Sequence, residues 1–444
     1  MVPVRTDVRD HLREWLEASA VPGAAVVVVH PDRATFEAAG VTNVEHPLPV
    51  TPDTLFQVGS ISKTFTTTAL LRLVERGRLD LDRPVREYLP EFRLADMEAA
   101  AQVTPRQLLT HSGGFYGDFF PDTGDGDDAL ARAVDELGGL AQLTPVGRVR
   151  SYSNSGFYVL GRLLEILSGQ RFEDAMARLV LRPLGLRNTW YFPTDVMTRR
   201  FVAGHEWIWA ENRNRVARPW AVTRATNPVG GVVSCARDLA RYARFHLSDR
   251  PLVAAMRQPQ PPHTGMVFAK GLAWVRREVG GAQIVEHGGA TLGQQCLLTL
   301  VPERGFAVAL LTNSSRGREA AGGFVRWALE AYLGLKDPDP APLHPSPEQL
   351  EELAGDYHGQ LADYRLSVSG AELLLATTPK GGFPYPDSPP PPTPPPLRLA
   401  LQADDRLAVL DERLRGEVYD VLRDGGGEVE WIRIGGRICK RLYS

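Results

Sequence analysis

Lysine is scarce in this chain. Only Lys63, Lys270, Lys336, Lys380 and Lys440 occur, and arginine carries nearly all the other positive charge. Cysteine is scarcer still. Cys235, Cys296 and Cys439 are odd in number and far apart, so no disulfide framework or metal knuckle can be drawn from them. Cys296, inside the run Cys296-Leu297-Leu298, reads as a small buried hydrophobe. No apolar run nears the ~20 residues that span a bilayer. The stretch Met1 to Asp7 lacks the basic and apolar regions of a signal peptide, so the expected location is cytoplasmic, with no membrane partner. A formal net charge of −3 gives no electrostatic case for nucleic acid. Neither a metal nor an organic cofactor is signalled. Asp122, Asp125, Asp127 and Asp128 lack the glutamate that closes a calcium loop and read as an acidic surface loop. Nothing in the composition opposes a homo-oligomer.

What remains is an ordinary globular composition, with 43% hydrophobic and 23% charged residues in 444. Residues 8–19 show helical spacing through Val8, Leu12, Trp15 and Leu16. Ala24 to Val29 reads as a buried strand, with Thr35 to Ala39 as its hairpin partner. A helical pattern runs from Ser60 to Gly77, and Gly161 to Leu167, Phe172 to Val180 and Ala236 to Leu247 read as further helices. Strand signals return at Ile284-Val285, Cys296 to Val301 and Phe306 to Thr312, before a helix from about Ala320 to Leu335. Strands at both ends with helices between them predict an antiparallel sheet covered by helices, plus a helical lobe. The expected organisation is a first domain over 1–335, a proline-rich linker over 336–348, and a small all-β domain over 349–444. Inside the last, Pro389 to Pro396 must be an extended polyproline loop.

The scarcity of lysine makes Ser60-Ile61-Ser62-Lys63 conspicuous. Arginine cannot give up its proton in a protein, whereas a buried lysine can be neutral and act as a base. Three residues on, in a helix, Lys63 shares a face with Ser60. A serine hydroxyl is a poor nucleophile until a base takes its proton. Gly59 favours a tight turn that displays the hydroxyl. In Tyr152-Ser153-Asn154 the phenol suits proton transfer to a leaving group. The amide two residues later, in an extended segment, suits a substrate carbonyl. His287-Gly288-Gly289 follows an apolar strand and leaves room for a substrate backbone along its edge. The Ala290 N–H beside it suits an oxyanion hole shared with the Ser60 N–H. Each element alone also fits a structural reading: an N-cap with a solvated lysine, a polar turn, and a hairpin end with an incidental histidine.

In combination and in this order, the three elements resemble the serine penicillin-recognising superfamily, in its class C β-lactamase, carboxypeptidase and esterase branch. Its motifs S-x-x-K, Y-x-N and H-x-G fall on Ser60–Lys63, Tyr152–Asn154 and His287–Gly289. The contexts Leu108-Leu109-Thr110-His111-Ser112-Gly113-Gly114 and Gly230-Gly231-Val232-Val233-Ser234 are similar too. The resemblance covers roughly residues 8–335. It implies Ser60 as acylated nucleophile, Lys63 as its base and Tyr152 as proton shuttle. It further implies Asn154 and Gly289 as substrate ligands, His287 as the polar group on the edge strand, and His111 as a structural histidine.

The sequence departs from β-lactamases in having His287 where they carry lysine. A largely neutral histidine recognises a carboxylate less well than a permanent cation. Within the family the H-x-G variant accompanies D-aminopeptidases and D-Ala-D-Ala carboxypeptidase-like proteins, often with extra β-barrel domains. The reaction expected is therefore that of a serine peptidase or amidase on small peptides, those with D-residues included. A carboxylesterase or weak β-lactamase is the alternative enzyme, and a catalytically silent scaffold the alternative of another class. The polyproline loop is a candidate to reach over the site and limit substrate length.

Overall fold

The computed structural model describes residues 7–261, 269–337, 343 and 345–443. Met1 to Thr6, and Pro338, Pro340 and Pro342 of the linker, lie outside the described residues.

The run of valines that predicts a strand is buried along its whole length, Gly23–Val29. Side chains on a strand alternate between faces, so this one segment feeds two cores. Ala25, Val27 and Val29 point into one core, while Ala24, Val26 and Val28 point into another. Phe306–Thr312 divides in the same way. Each fully buried valine or leucine contributes about 1.5–3 kcal/mol, so a strand apolar on both faces belongs inside the sheet, flanked by a strand on either side. It does lie there, in a seven-stranded sheet ordered Ala34–Gly40, Gly23–Val29, Phe306–Thr312, Gln294–Val301, Ala282–Thr291, Val275–Val279, Ala269–Lys270. Its pairings are antiparallel.

Helices cover both faces. Val8–Ser19, capped by the Asp7 side chain, and Gly317–Leu333 pack on one side. Ala236–Leu247 packs on the other, beside the lobe built by Ser62–Glu75 and Ser155–Ser168. Among the described residues no helix is long and apolar enough to cross a membrane.

Pro347 opens the short helix Pro347–Leu353, whose Ser346 and Gln349 form a capping box. Eight strands between Gly355 and Leu442 then close into a barrel, with the first strand pairing the last, Asp356 opposite Leu442. Closure removes the sheet edges that short strands otherwise leave bare. The polyproline run is mostly exposed, and the barrel's own Arg413 donates to the carbonyls of Pro395 and Pro396. A different part of the barrel meets the first domain. Ile434 pairs with Arg437 across Gly435-Gly436, both with positive φ (55° and 81°), as a two-residue hairpin turn requires. The Gly436 carbonyl accepts a hydrogen bond from the Tyr152 N–H at 2.8 Å.

Candidate active site

Two glycines let the nucleophile turn lie against the edge strand. Gly59 has φ +52°, and a Cβ there would stand 2.4 Å from the Ala290 nitrogen. A Cβ on Gly289 would meet the Val58 carbonyl oxygen at 1.8 Å. Backbone therefore packs on backbone, and the Ala290 nitrogen comes beside the turn that carries Ser60. The Val275–Val279 strand pairs with the Ala282–Thr291 strand only as far as Glu286. Among the described residues, His287 to Thr291 thus present an open edge next to Ser60.

Ser60 sits in a tight turn, Gly59–Ile61, that leads directly into the helix Ser62–Glu75. Lys63, one turn along, has 0% exposure. Its Nζ lies 3.2 Å from Ser60 Oγ and donates to the Val229 carbonyl at 2.9 Å. Burial, with the Arg437 cation adding to it, holds the Lys63 amine well below the usual lysine range, and Asp118 only partly opposes this. A neutral amine has one lone pair, and the hydroxyl of Ser60 is the proton donor within its reach. The helix is buried nearly all round, so its threonines turn inward. The Thr64, Thr67 and Thr68 hydroxyls satisfy themselves on the carbonyls of Ile61, Lys63 and Thr64.

Tyr152 closes over this pair, with its ring centroid 5.0 Å from Lys63 Nζ. Its hydroxyl is buried without a hydrogen-bond partner of regular geometry. Burial pushes the phenol up to about 12, against the pull of the Ser60 hydroxyl and the Arg437 cation. His287 stands 6.4 Å from Tyr152, ring to ring. Burial and the nearby Lys63 bring its imidazole down to about 3. Its Nδ1 lies 2.6 Å from the Gly288 carbonyl, an acceptor, so the proton of the neutral ring is on Nδ1 and Nε2 is an acceptor.

His111 has a positive φ of 58° and accepts a hydrogen bond at Nδ1 from the Ser153 N–H at 3.1 Å. Its ring lies 4.5 Å from that of Tyr152. In this position it fixes the Tyr152–Asn154 segment. Asn154 differs from the sequence expectation. Its backbone is helical (φ −78°, ψ −41°) rather than extended, because it immediately precedes the helix Ser155–Ser168. Its amide is also engaged, with Nδ2 donating to Asp118 Oδ1 at 2.6 Å.

Asp118 and Arg437 are the residues that motif reading misses. Asp118 lies in a loop with no periodic pattern, and Arg437 is one of many arginines, 319 positions away. The only sequence signal near Arg437 is the Gly435-Gly436 turn, which announces a hairpin but not what it touches.

The sequence profile of the beta-lactamase family matches residues 8–332. Penicillin-binding protein 4 of Amycolatopsis lactamdurans is 35% identical over 354 residues, 76% of this chain and 93% of that protein. The unguisins hydrolase ungD' of Aspergillus campestris is 27% identical over 373 residues, 77% of this chain and 66% of that protein. SurE superposes with a TM-score of 0.74 at 28% identity, covering 99% of both chains, and a second SurE structure holds D-Leu. The profile spans the sheet, the helical lobe and all three motifs, and the 35%-identical relative agrees with it: the chain belongs to the beta-lactamase family.

Proposed function

We propose that this protein is a serine peptidase or amidase that forms an acyl-enzyme on Ser60 and cleaves short peptides with a D-residue next to the scissile bond. The observation that carries the reading is the 3.2 Å separation between Ser60 Oγ and a fully buried Lys63 amine whose other hydrogen bond goes to a neutral carbonyl. A base within 2.6–3.2 Å and with a depressed pKa is what an unactivated hydroxyl needs.

In the proposed cycle Lys63 takes the Ser60 proton as Oγ attacks the carbonyl carbon. The N–H groups of Ser60 and Ala290 stabilise the oxyanion, a contribution of about 10²–10³ in rate for each donor. Tyr152, protonated at neutral pH, hands its proton to the leaving nitrogen and is reprotonated from Lys63. Water then attacks the ester by the reverse route. A substrate backbone lies along the open edge from His287 to Thr291, as an added strand. There Nε2 of the neutral His287 offers an acceptor in place of a cation, which favours a substrate N–H over a carboxylate. The relative named as an unguisins hydrolase supports a hydrolytic reaction, and the SurE structure with D-Leu supports substrates that carry D-residues.

The test is a panel of D- and L-aminoacyl p-nitroanilides with p-nitrophenyl esters beside them, run on wild type and Ser60→Ala. Turnover of the D-aminoacyl amides that vanishes in Ser60→Ala is expected. Turnover that persists in Ser60→Ala overturns the mechanism, and cleavage of esters alone overturns the substrate class.

A further inference from the structure

Both oxygens of Asp118 are committed. Oδ1 accepts from Asn154 Nδ2 at 2.6 Å and from an Arg437 terminal nitrogen at 3.0 Å, and Oδ2 accepts from Arg437 Nε at 2.5 Å. The carboxylate side chain is 0% exposed, so it needs the cation that faces it. That cation belongs to the barrel. Arg437 also lies 4.6 Å from the Tyr152 ring centroid. Two further barrel groups grip the same segments. The Gly436 carbonyl holds the Tyr152 N–H, and Gln360 Oε1 accepts from the N–H groups of Gly117 and Asp118 at 2.7 and 2.8 Å. The Gly117 carbonyl in turn accepts from the Asn154 and Ser155 N–H groups at 2.7 and 2.8 Å.

We propose that the bidentate Arg437–Asp118 pair is the device that positions Tyr152 and Asn154, so that the active site of the first domain is completed by the barrel's Ile434–Arg437 turn. This rests on the acyl-enzyme reading given above. Arg437 acts as a positioning residue and not as a substrate ligand. Its Nε and one terminal nitrogen are held by a buried carboxylate, and the other terminal nitrogen donates to the Gly435 carbonyl at 3.4 Å. A guanidinium whose charge is already matched is a poor receptor for a second anion. Without it, Asn154 and the Tyr152 ring lose a shared anchor, and misplacement of about 1 Å near the chemistry costs roughly 10²-fold in rate.

The pair also reaches Lys63. The groups around the amine are Ser60 on its own turn, Tyr152 and His111 from the loops, His287 from the edge strand, Asp118, and Arg437 from the barrel. Arg437 disfavours the charged amine and Asp118 favours it. Removing either partner should therefore move the acid limb of kcat/KM in opposite directions, toward higher pH without the cation and toward lower pH without the anion. Loss of packing alone produces no such divergence.

The experiment measures kcat, KM and the pH midpoint of kcat/KM for wild type, Arg437→Ala, Arg437→Lys and Asp118→Asn in the full chain. The substrate is a p-nitrophenyl ester, and a fluorophosphonate counts the competent sites. Arg437→Ala should lose about 10²-fold in kcat per competent site, with KM within about threefold and its midpoint moved up. Asp118→Asn should move the midpoint down. Arg437→Lys, which keeps the charge without the fork, should restore the midpoint and only part of kcat. Should Arg437→Ala not fold, Arg437→Lys and Asp118→Asn supply both readouts. Unmoved midpoints in the variants, or a loss confined to the number of competent sites, overturns the proposal. Failure of wild type to take the fluorophosphonate on Ser60 would instead refute the acyl-enzyme reading itself.

Discussion

The ring of Tyr152 lies 5.0 Å from the Lys63 amine, with its hydroxyl buried and no regular hydrogen bond made by it. A buried hydroxyl with no regular hydrogen bond costs stability, and its place beside the Ser60 hydroxyl suits a group used for chemistry. Tyr152→Phe removes the hydroxyl and keeps the ring contacts with His111 and Lys63. Activity should fall by about 10²–10⁴-fold, the range of a lost acid–base group. The thermal midpoint should change little, since the hydroxyl meets Ser60 without a regular hydrogen bond. A calorimetric scan beside a rate measurement checks both.

The pH profile follows from Lys63 and not from the histidines. The amine must be neutral to accept the Ser60 proton, so kcat/KM should rise with pH through the depressed pKa of Lys63 and then level. His287 is already neutral above a pKa of about 3, and burial holds His111 well below its ordinary value. No limb near 6.5 is expected from either. His287→Gln should leave the acid limb in place, and loss of the limb in that variant would assign it to His287.

Much of this site was legible in the sequence because its strongest signals are local. Ser60 and Lys63 lie one helical turn apart, and Gly59 marks the tight turn that displays the hydroxyl. The strands Gly23–Val29 and Phe306–Thr312 were equally plain, being apolar on both faces. Asp118–Arg437 was not legible, because a contact between a loop and a hairpin 319 residues away leaves no pattern in either segment. The extended backbone expected at Asn154 failed for a related reason. Its backbone follows the helix that begins at Ser155, and its side chain follows Asp118.

Carboxylate discrimination should be reversible at one position. His287→Lys places a cation on the open edge, where a charge-assisted hydrogen bond is worth about 1.5 kcal/mol or more. Relative to amidated peptides, KM for peptides with a free C-terminal carboxylate should drop about tenfold, and labelled penicillin should acylate faster. Parallel kinetics on matched amide and carboxylate substrates decide the matter.

Gly289→Ala should separate geometry from chemistry. The new Cβ cannot stand 1.8 Å from the Val58 carbonyl, so the strand and the Ser60 turn must part. The Ala290 N–H then leaves the oxyanion position. Acylation should slow by about 10²–10³-fold with Ser60, Lys63 and Tyr152 all present, as a burst-phase measurement would show.

The most direct trial is to quench an ester reaction with acid and map the acylated peptide by mass spectrometry. The expected result is acyl mass on the Ser60 peptide in wild type and on no peptide in Lys63→Met. Acyl mass on another residue, or full turnover with Ser60 never acylated, would contradict a Lys63-activated Ser60 nucleophile.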